Sequence, residues 1–592
     1  MTSTGRLVLL LQLPIPPAGL VPIHGNIPLA AADLKLFARR RGLERAYRIE
    51  LLPTQRVNTL SEQGLVEELL ARQPWLVGFT CYMWNIERTL WIAERLKRRR
   101  PDLKIVLGGP EITADNTWVL DCGVLDYAVL GEGEQTFAEL LTALVGKSQP
   151  ARSIPGLCVR PNGPLPPPRT PLANLDEISS PYLEGILDAA DEQTLFLETV
   201  RGCVFKCRFC YYPKSYDAVT LVSPEQVLAN LRHAAERGAR DVVILDPTLN
   251  QRRDFPDFLR MLAQGNPARQ LTYFAELRAE GITRDTARLL REANFTEIEV
   301  GLQSVDRRAQ ELMDRPVNLP ALERGVRAMQ DEGLRVKLDL IIGLPGDTVD
   351  SVRRGIEFLH GLRPTGGVQV FNLSVLPGTA FREQAAQLGL DYQPRPPYYV
   401  LHTPTLSVEQ IVLLMEEAQE ALAIDFDPLP PPLRELARDV SGLSRGCQID
   451  LDHSPSALPP PGQRCQAFVL WLQSAQFGQQ VAAAAELTAQ ILSDNPHTTL
   501  QVTLEPTANA EQLTAAVLEP LRAACFRSSS YLDRYYSLQP AGLFGAKRLV
   551  VLLPSGERRR LGSGWHKTVG EYAAIVWREN ESSPDASRRS CS

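Results

Sequence analysis

The chain of 592 residues predicts an α/β protein built in successive units. Three observations carry that reading. Short apolar runs alternate with helical stretches over residues 1–150 and again over 195–375, as in parallel sheets joined by crossover helices. Proline-rich breaks separate the units, one running from Pro155 to Pro171 and one from Pro428 to Pro432. Three cysteines crowd into eight positions directly after a strand pattern, a spacing that in an intracellular chain reads as metal ligation.

In the first unit, 1–150, strands are expected at Leu7–Leu13, Tyr47–Leu52, Leu76–Cys81, Lys104–Leu107 and Tyr127–Leu130. Helices are expected near Ile27–Arg41, Ser61–Gln73, Ile86–Arg100 and Gln135–Val145. This is a doubly wound, Rossmann-like pattern, which binds ligands at the carboxyl ends of its strands. Arg6 and the run after it could pass for a signal peptide. The run is short, contains Gln12 and is broken by Pro14, Pro16 and Pro17, so it reads as a buried first strand.

Residues 151–194 read as a hairpin (Gly156–Arg160, turn at Asn162-Gly163) and an extended linker. Residues 195–430 predict strands at Leu195–Thr199, Asp241–Leu245, Thr272–Glu276, Glu297–Gly301, Arg335–Ile342 and Val368–Leu373, then an extension. Six βα repeats suit a (βα)6 partial barrel with its chemistry at the strand C-termini. Residues 431–578 suggest a small α+β domain, with strands at Ala467–Leu472, Thr498–Leu504 and Arg548–Leu553. A polar tail, 579–592, reads as disordered.

A net charge of −6 without a large basic block implies no nucleic-acid partner. No run reaches the roughly 18–20 apolar residues of a membrane span, so a soluble, cytoplasmic protein is expected.

The chemistry-bearing segment is Arg201-Gly202-Cys203-Val204-Phe205-Lys206-Cys207-Arg208-Phe209-Cys210. Three thiolates on one short loop can converge on a metal centre and leave a coordination position open for substrate. A structural zinc site would need a fourth ligand, for which His233 is the nearest histidine.

This C-x3-C-x2-C loop resembles that of the radical S-adenosylmethionine (SAM) enzymes, and the resemblance extends over roughly 195–375. It implies that Cys203, Cys207 and Cys210 hold three irons of a four-iron four-sulfur (4Fe-4S) cluster whose open iron binds SAM. It further implies SAM contacts from Phe209, near adenine, and from Gln303 and Ser304 in Glu299-Val300-Gly301-Leu302-Gln303-Ser304. Gly343 and Pro345, in Gly343-Leu344-Pro345-Gly346, match the family's glycine-bearing turn. Where the family carries a Gly-Gly-Glu-like motif, this chain has Leu245-Asp246-Pro247-Thr248, leaving Asp246 as the acceptor for the SAM ammonium.

The first unit resembles the cobalamin-binding domain fused to many of these enzymes. The matching stretches are Thr80-Cys81-Tyr82-Met83-Trp84-Asn85, Gly108-Gly109-Pro110-Glu111 and Gly131-Glu132-Gly133-Glu134. The implied cobalamin contacts are Thr80, Cys81, Tyr82, Trp84, Gly108, Gly109, Pro110, Gly131, Glu132 and Gly133. A D-x-H-x-x-G motif is missing and His24 is the sole histidine before His233, so cobalt is expected without a protein histidine. Tyr398 and Tyr399, after Pro396-Pro397, also look like this group; they read as pocket or packing residues, with packing favoured.

The implied activity is reductive cleavage of SAM to a 5′-deoxyadenosyl radical, followed by methylation of an unactivated carbon from methylcobalamin. Two alternatives stay open: radical rearrangement or cyclisation without methyl transfer, and a non-catalytic corrinoid and cluster sensor. The implied partners are a small-molecule or peptide substrate and a flavodoxin- or ferredoxin-like electron donor.

Overall fold

The structure is a computed structural model and describes residues 5–146, 150–160, 163–212, 219–453, 457–538 and 545–578. The expected tail at 579–592 and Asn162 of the expected hairpin turn lie outside the described residues.

The N-terminal sheet contains β1 (Arg6–Gln12), β2 (Tyr47–Leu51), β3 (Leu76–Thr80), β4 (Lys104–Gly108), β5 (Tyr127–Val129) and β6 (Leu157–Val159), in the order β2-β1-β3-β4-β5-β6. Side chains alternate between faces along a strand. On β1, Leu7, Leu9 and Leu11 enter one core while Val8 and Leu10 enter another, so both faces are covered, as expected for a doubly wound sheet. Ser61 starts the helix Glu62–Ala71 by accepting the Gly64 N–H at 3.2 Å. The hairpin expected over Gly156–Arg160 needs correction. Leu157–Val159 instead pairs antiparallel with β5 and extends the first sheet, because buried Leu157 and Cys158 complete its edge. The first unit therefore runs past residue 150.

The central sheet contains β7 (Thr194–Leu197), β8 (Asp241–Ile244), β9 (Thr272–Glu276), β10 (Phe295–Gln303), β11 (Arg335–Ile342) and β12 (Gly367–Asn372). All pair in parallel, in sequence order. Right-handed crossovers that always step the same way put every helix on one face. The other face curves around a lumen, which is the expected partial barrel. Ile298, Val300 and Leu302 point into the helix-covered core, while Glu299, Gly301 and Gln303 alternate toward the lumen.

The C-terminal region departs from the α+β expectation. Its strands β13 (Ser444–Asp450), β14 (Arg464–Ser474), β15 (Thr499–Pro506), β16 (Lys547–Pro554) and β17 (Ala574–Arg578) are all parallel, so it is a third βα-built sheet. β13 and β17 carry Cys447, Gln448 and Arg578 among their apolar residues, which blurred their pattern in sequence. One face is covered by helices; the other, with Val469, Trp471, Val550 and Leu552, is covered by Leu20, Leu433 and Leu436. Among the described residues, no helix is long and apolar enough to cross a membrane.

Candidate functional site

β7 leads through Glu198 and Thr199 into Val200–Arg201, which pairs with Thr220–Leu221, and then into the cysteine loop. Gly202, at φ +98°, makes the turn. Asp246 anchors this segment. Its carboxylate accepts the N–H groups of Thr199 and Val200 at 2.7 and 2.8 Å and also the Thr199 hydroxyl. Burial pushes the Asp246 carboxyl up to about 6, and those hydrogen bonds oppose the rise. Asp246 is therefore occupied in aiming the loop, which corrects its expected place as an open acceptor for an ammonium group.

Cys203 and Cys207 are buried and Cys210 is partly exposed; all are free thiols. Burial pushes the Cys210 thiol up to about 12, with the charges of Cys207 and Cys203 adding to the rise. The three sulfurs thus lie within electrostatic reach of one another. Among the described residues, no three metal-ligating side chains gather around a single-ion site. A four-iron cluster does not require that, since each thiolate binds a different iron. The donor set fits such a cluster with one iron left over.

Beside this loop, orphaned polar atoms are found on and between neighbouring strands. Arg315 Nη1 lies 3.8 Å from Cys207 Sγ and Nη2 donates to the Gly301 carbonyl at 2.7 Å. Arg315 Nε, Gln303 Oε1 and Asp339 Oδ1 are buried without a partner among the described residues. Burial, then Glu299, pushes Asp339 up to about 9; Glu276, open to the lumen, is raised to about 7 by desolvation from the barrel walls and then by Glu299. Lys337 Nζ pairs with Glu299 at 3.1 Å. Buried polar groups without partners are rare and costly, so this chamber suits a polar ligand. A guanidinium for a carboxylate, with amide and carboxyl groups for hydroxyls, matches the functional groups of SAM. Arg315 in a loop, Glu276 at a strand end and Asp339 within a strand escaped the sequence reading because isolated charges carry no local motif.

The other expected SAM residues divide. Gln303 faces the chamber, held at φ +67°. Ser304 does not: its hydroxyl donates to Asp347 Oδ1 at 3.0 Å and accepts the Asp306 N–H. Gly343 has φ +94°, but a side chain there would point at Val400 and Leu373, so its need for glycine is conformational rather than ligand approach. Pro345 is buried, and Phe209 packs on the barrel core.

A cavity of about 480 Å³ opens between the carboxyl ends of the N-terminal strands and the barrel. Thr80, Tyr82, Gly108, Gly109, Pro110, Gly131, Glu132 and Gly133 line it. Cys81 and Trp84 do not. Cys81 is fully buried in the sheet core, and Trp84 stacks on Tyr82 at 4.4 Å with its back to the C-terminal region. A Cβ built on Gly108 would meet only Val129, at 3.8 Å, and one on Gly131 nothing within 4 Å. The space in front of the strands is kept open by missing side chains, as a broad flat ligand requires. The cavity continues between the sheet (Leu10, Gly78, Val106) and the helices carrying Leu34 and Phe137. That slot and cradle fit cobalamin, and no lining residue is a histidine.

The barrel closes this cavity with Glu198, Arg201, Tyr211, Tyr212 and Leu245. Arg201 Nη1 pairs with Glu134 at 3.0 Å and Glu132 at 3.3 Å, and Nη2 pairs with Glu198 at 2.8 Å. One arginine at the start of the cysteine loop therefore ties down the Gly-Glu-Gly-Glu loop. Burial, then Glu134 and Glu198, raises the nearby Asp33 carboxyl well above its usual range. Tyr398 and Tyr399 do not line this cavity; both are buried in packing.

Comparison with known proteins gives the same division. The family model of the radical SAM superfamily matches residues 197–359, and that of the B12 binding domain matches 27–141. The chain is 26% identical over 415 residues to the cobalamin-dependent radical SAM methyltransferase TokK of Streptomyces tokunonensis, covering 66% of this chain and 60% of that protein. It is 27% identical over 378 residues to 2-(S-pantetheinyl)-carbapenam-3-carboxylate methyltransferase of Streptantibioticus cattleyicolor, covering 59% and 55%. The matches thus span less than two thirds of these relatives. The fold is shared with the radical SAM methyltransferase TsrM from Kitasatospora setae, solved with cobalamin and a [4Fe-4S] cluster (TM-score 0.53, 20% identity, 68% of this chain and 79% of that one). It is shared also with the cobalamin-dependent radical enzyme OxsB (TM-score 0.56, 15% identity, 70% and 67%). The chain therefore joins a B12 binding domain to a radical SAM domain, as these cobalamin-dependent relatives do, and the cofactors this pairing implies are a 4Fe-4S cluster, SAM and cobalamin.

Proposed function

We propose that this protein methylates an unactivated carbon of a small-molecule or peptide substrate. The observation that carries this reading is the junction of the two chambers. Tyr212 lines the cobalamin cavity and feels the charges of Glu198, Glu276 and Cys210 of the barrel, so the two ligand spaces adjoin. When bound, SAM on the cluster supplies a hydrogen-abstracting radical and cobalamin supplies a methyl group.

The chain's own residues orient and enclose. Cys203, Cys207 and Cys210 would hold the cluster, with Arg315 beside Cys207. Arg315, Gln303 and Asp339 would hold SAM, Asp339 as a neutral hydrogen-bond donor and Arg315 toward the carboxylate. Thr80, Tyr82, Gly108, Gly109, Pro110, Gly131, Glu132 and Gly133 would hold cobalamin. We read the units as a cobalamin domain at the N-terminus that includes Leu157–Val159, a linker up to 194, a radical SAM barrel with its extension over 195–430 and a third domain over 431–578. Val204, in the cysteine loop, is 54% exposed, which brings the cluster near the surface and within reach of a flavodoxin- or ferredoxin-like donor. Reduced thiols suit a cytoplasmic setting.

The test is anaerobic reconstitution with iron, sulfide and hydroxocobalamin, followed by reduction with SAM present. About one corrinoid per chain, with 5′-deoxyadenosine and S-adenosylhomocysteine both formed in the presence of substrate, is expected. 5′-Deoxyadenosine without S-adenosylhomocysteine would favour rearrangement, and neither product would overturn the enzyme reading.

A further inference from the structure

The region after residue 430 lies outside both family matches. It is bolted to the cobalamin domain along the helix Glu62–Ala71. The Ser61 N–H donates to the Arg464 carbonyl at 3.2 Å, its hydroxyl to Pro461 at 3.0 Å, and the Gln63 N–H to Asn495 Oδ1 at 2.9 Å. The backbones are in close contact: a Cβ on Gly64 would sit 2.9 Å from the Gly462 carbonyl oxygen.

A second contact reaches the ligand space itself. The helix Tyr531–Tyr535 and the turn after it form an aromatic cluster of Tyr531, Leu532, Tyr535 and Tyr536, into which Met83 and Trp84 pack. Trp84 stacks face to face on Tyr82, with 5° between the rings, and Tyr82 lines the cobalamin cavity. Arg534 then spans three units. Its guanidinium pairs with Glu87, two residues past the Thr80–Asn85 loop, and donates through Nε to the Pro396 carbonyl at 2.6 Å. Gln393 of the barrel extension donates back to the Arg534 carbonyl at 3.4 Å, and Tyr399 packs on Tyr535 with 5.8 Å between ring centres.

We infer that the C-terminal domain is a positioning domain, which sets the Tyr82 wall of the cobalamin cavity through Trp84 and holds that domain against the barrel through Arg534. This rests on the cobalamin reading above. A loop that leaves the carboxyl end of a strand has more conformational freedom than the strand it follows. Packing Trp84 into a preformed aromatic cluster selects one before the ligand arrives, so less ordering is required on binding. Arg534 and Trp84 are positioning residues, since neither lines the cavity.

The test compares R534A, R534K, W84A and W84F with the full-length wild type. Each is titrated with hydroxocobalamin by equilibrium dialysis, and the bound absorption spectrum, iron per chain and melting temperature are recorded. R534A and W84A should bind hydroxocobalamin about tenfold more weakly. Their bound spectra should move toward that of the free corrinoid, with iron content unchanged. R534K keeps the charge and W84F keeps the stack, so both should stay within about twofold of wild type. If R534A does not fold, the W84A and W84F pair decides the matter. Wild-type affinity and spectrum in W84A, or equal losses in W84A and W84F, would overturn the inference. A wild type that binds no corrinoid would overturn the cobalamin reading beneath it, which separates the two failures.

Discussion

The Tyr398 hydroxyl donates to Glu111 Oε2 at 2.7 Å, across the seam between the barrel extension and the Gly-Gly-Pro-Glu loop of the cobalamin domain. Asn116 donates to the same oxygen at 2.9 Å, and Arg382 stacks over the Tyr398 ring at 4.7 Å. Tyr398 is fully buried at φ +60°, and burial followed by the Glu111 charge raises its phenol well above the usual range. One hydrogen bond buried at this seam thus helps to hold the cobalamin domain against the barrel extension. Y398F should cost about 1–3 kcal/mol. Denaturant titration would reveal this, and iron content should not change.

Arg201 makes a stronger case. R201M leaves Glu132, Glu134 and Glu198 facing one another without a counter-charge. Loss of one partner from a buried ion network costs about 3–5 kcal/mol, less here because Glu198 is 30% exposed. The loss should shrink as pH falls: burial, then the Glu134 charge, already raises the Glu132 carboxyl, and its protonation removes part of the repulsion. Unfolding free energies of wild type and R201M should converge on acidification; a constant gap would contradict this account.

Gly108 offers a way to block the cavity without disturbing the fold. A Cβ there meets only Val129 at 3.8 Å, and its backbone is not left-handed. G108L should keep the wild-type melting temperature and lower hydroxocobalamin affinity by more than about tenfold, through volume exclusion. Unchanged affinity would move the cobalamin site elsewhere.

Glu276 predicts a pH dependence of SAM affinity. Although Glu276 is open to the lumen at the end of β9, desolvation by the surrounding barrel walls and then the Glu299 charge hold its carboxyl at about 7. A carboxyl raised in this way is neutral below that value and charged above it, and only the charged form attracts the cationic SAM. Affinity should rise from about pH 6 to about pH 8, in the window set by that pKa. E276Q should flatten the profile. Isothermal titration across the range checks both statements.

Arg315 tests the chamber directly. R315M removes the guanidinium beside Cys207 Sγ and leaves all three cysteines in place. Iron per chain should stay near wild type while SAM affinity falls by about tenfold or more, the scale for a charge-assisted pair. C203A, C207A and C210A together should abolish both the iron and 5′-deoxyadenosine formation.

Much of this was legible in the chain alone, and the reason is locality. Strand and helix periodicity over β1 to β5 and β7 to β12, the cysteine spacing and the glycine runs at 108–109 and 131–133 are all set within a few residues. A thiolate loop after a strand, and bare backbone at strand ends, announce a ligand without reference to the rest of the chain. These features determined the parallel α/β units, the three-cysteine loop and most of the wall of the cavity in front of the N-terminal sheet.

Only the tertiary structure decided where the remaining polar groups point. Asp246 and Ser304 look like ligand contacts in sequence, yet their hydrogen bonds are spent on Thr199, Val200 and Asp347, partners more than forty positions away. Cys81 and Trp84 share a loop with Tyr82, but burial in the sheet core and packing on Tyr531 turn them from the cavity. Arg315, Gln303 and Asp339 form a site only because parallel pairing of β10 and β11 brings Gly301 opposite Asp339. Whether a polar atom is satisfied or left for a ligand depends on groups brought to it by folding, and no local pattern of the chain encodes that.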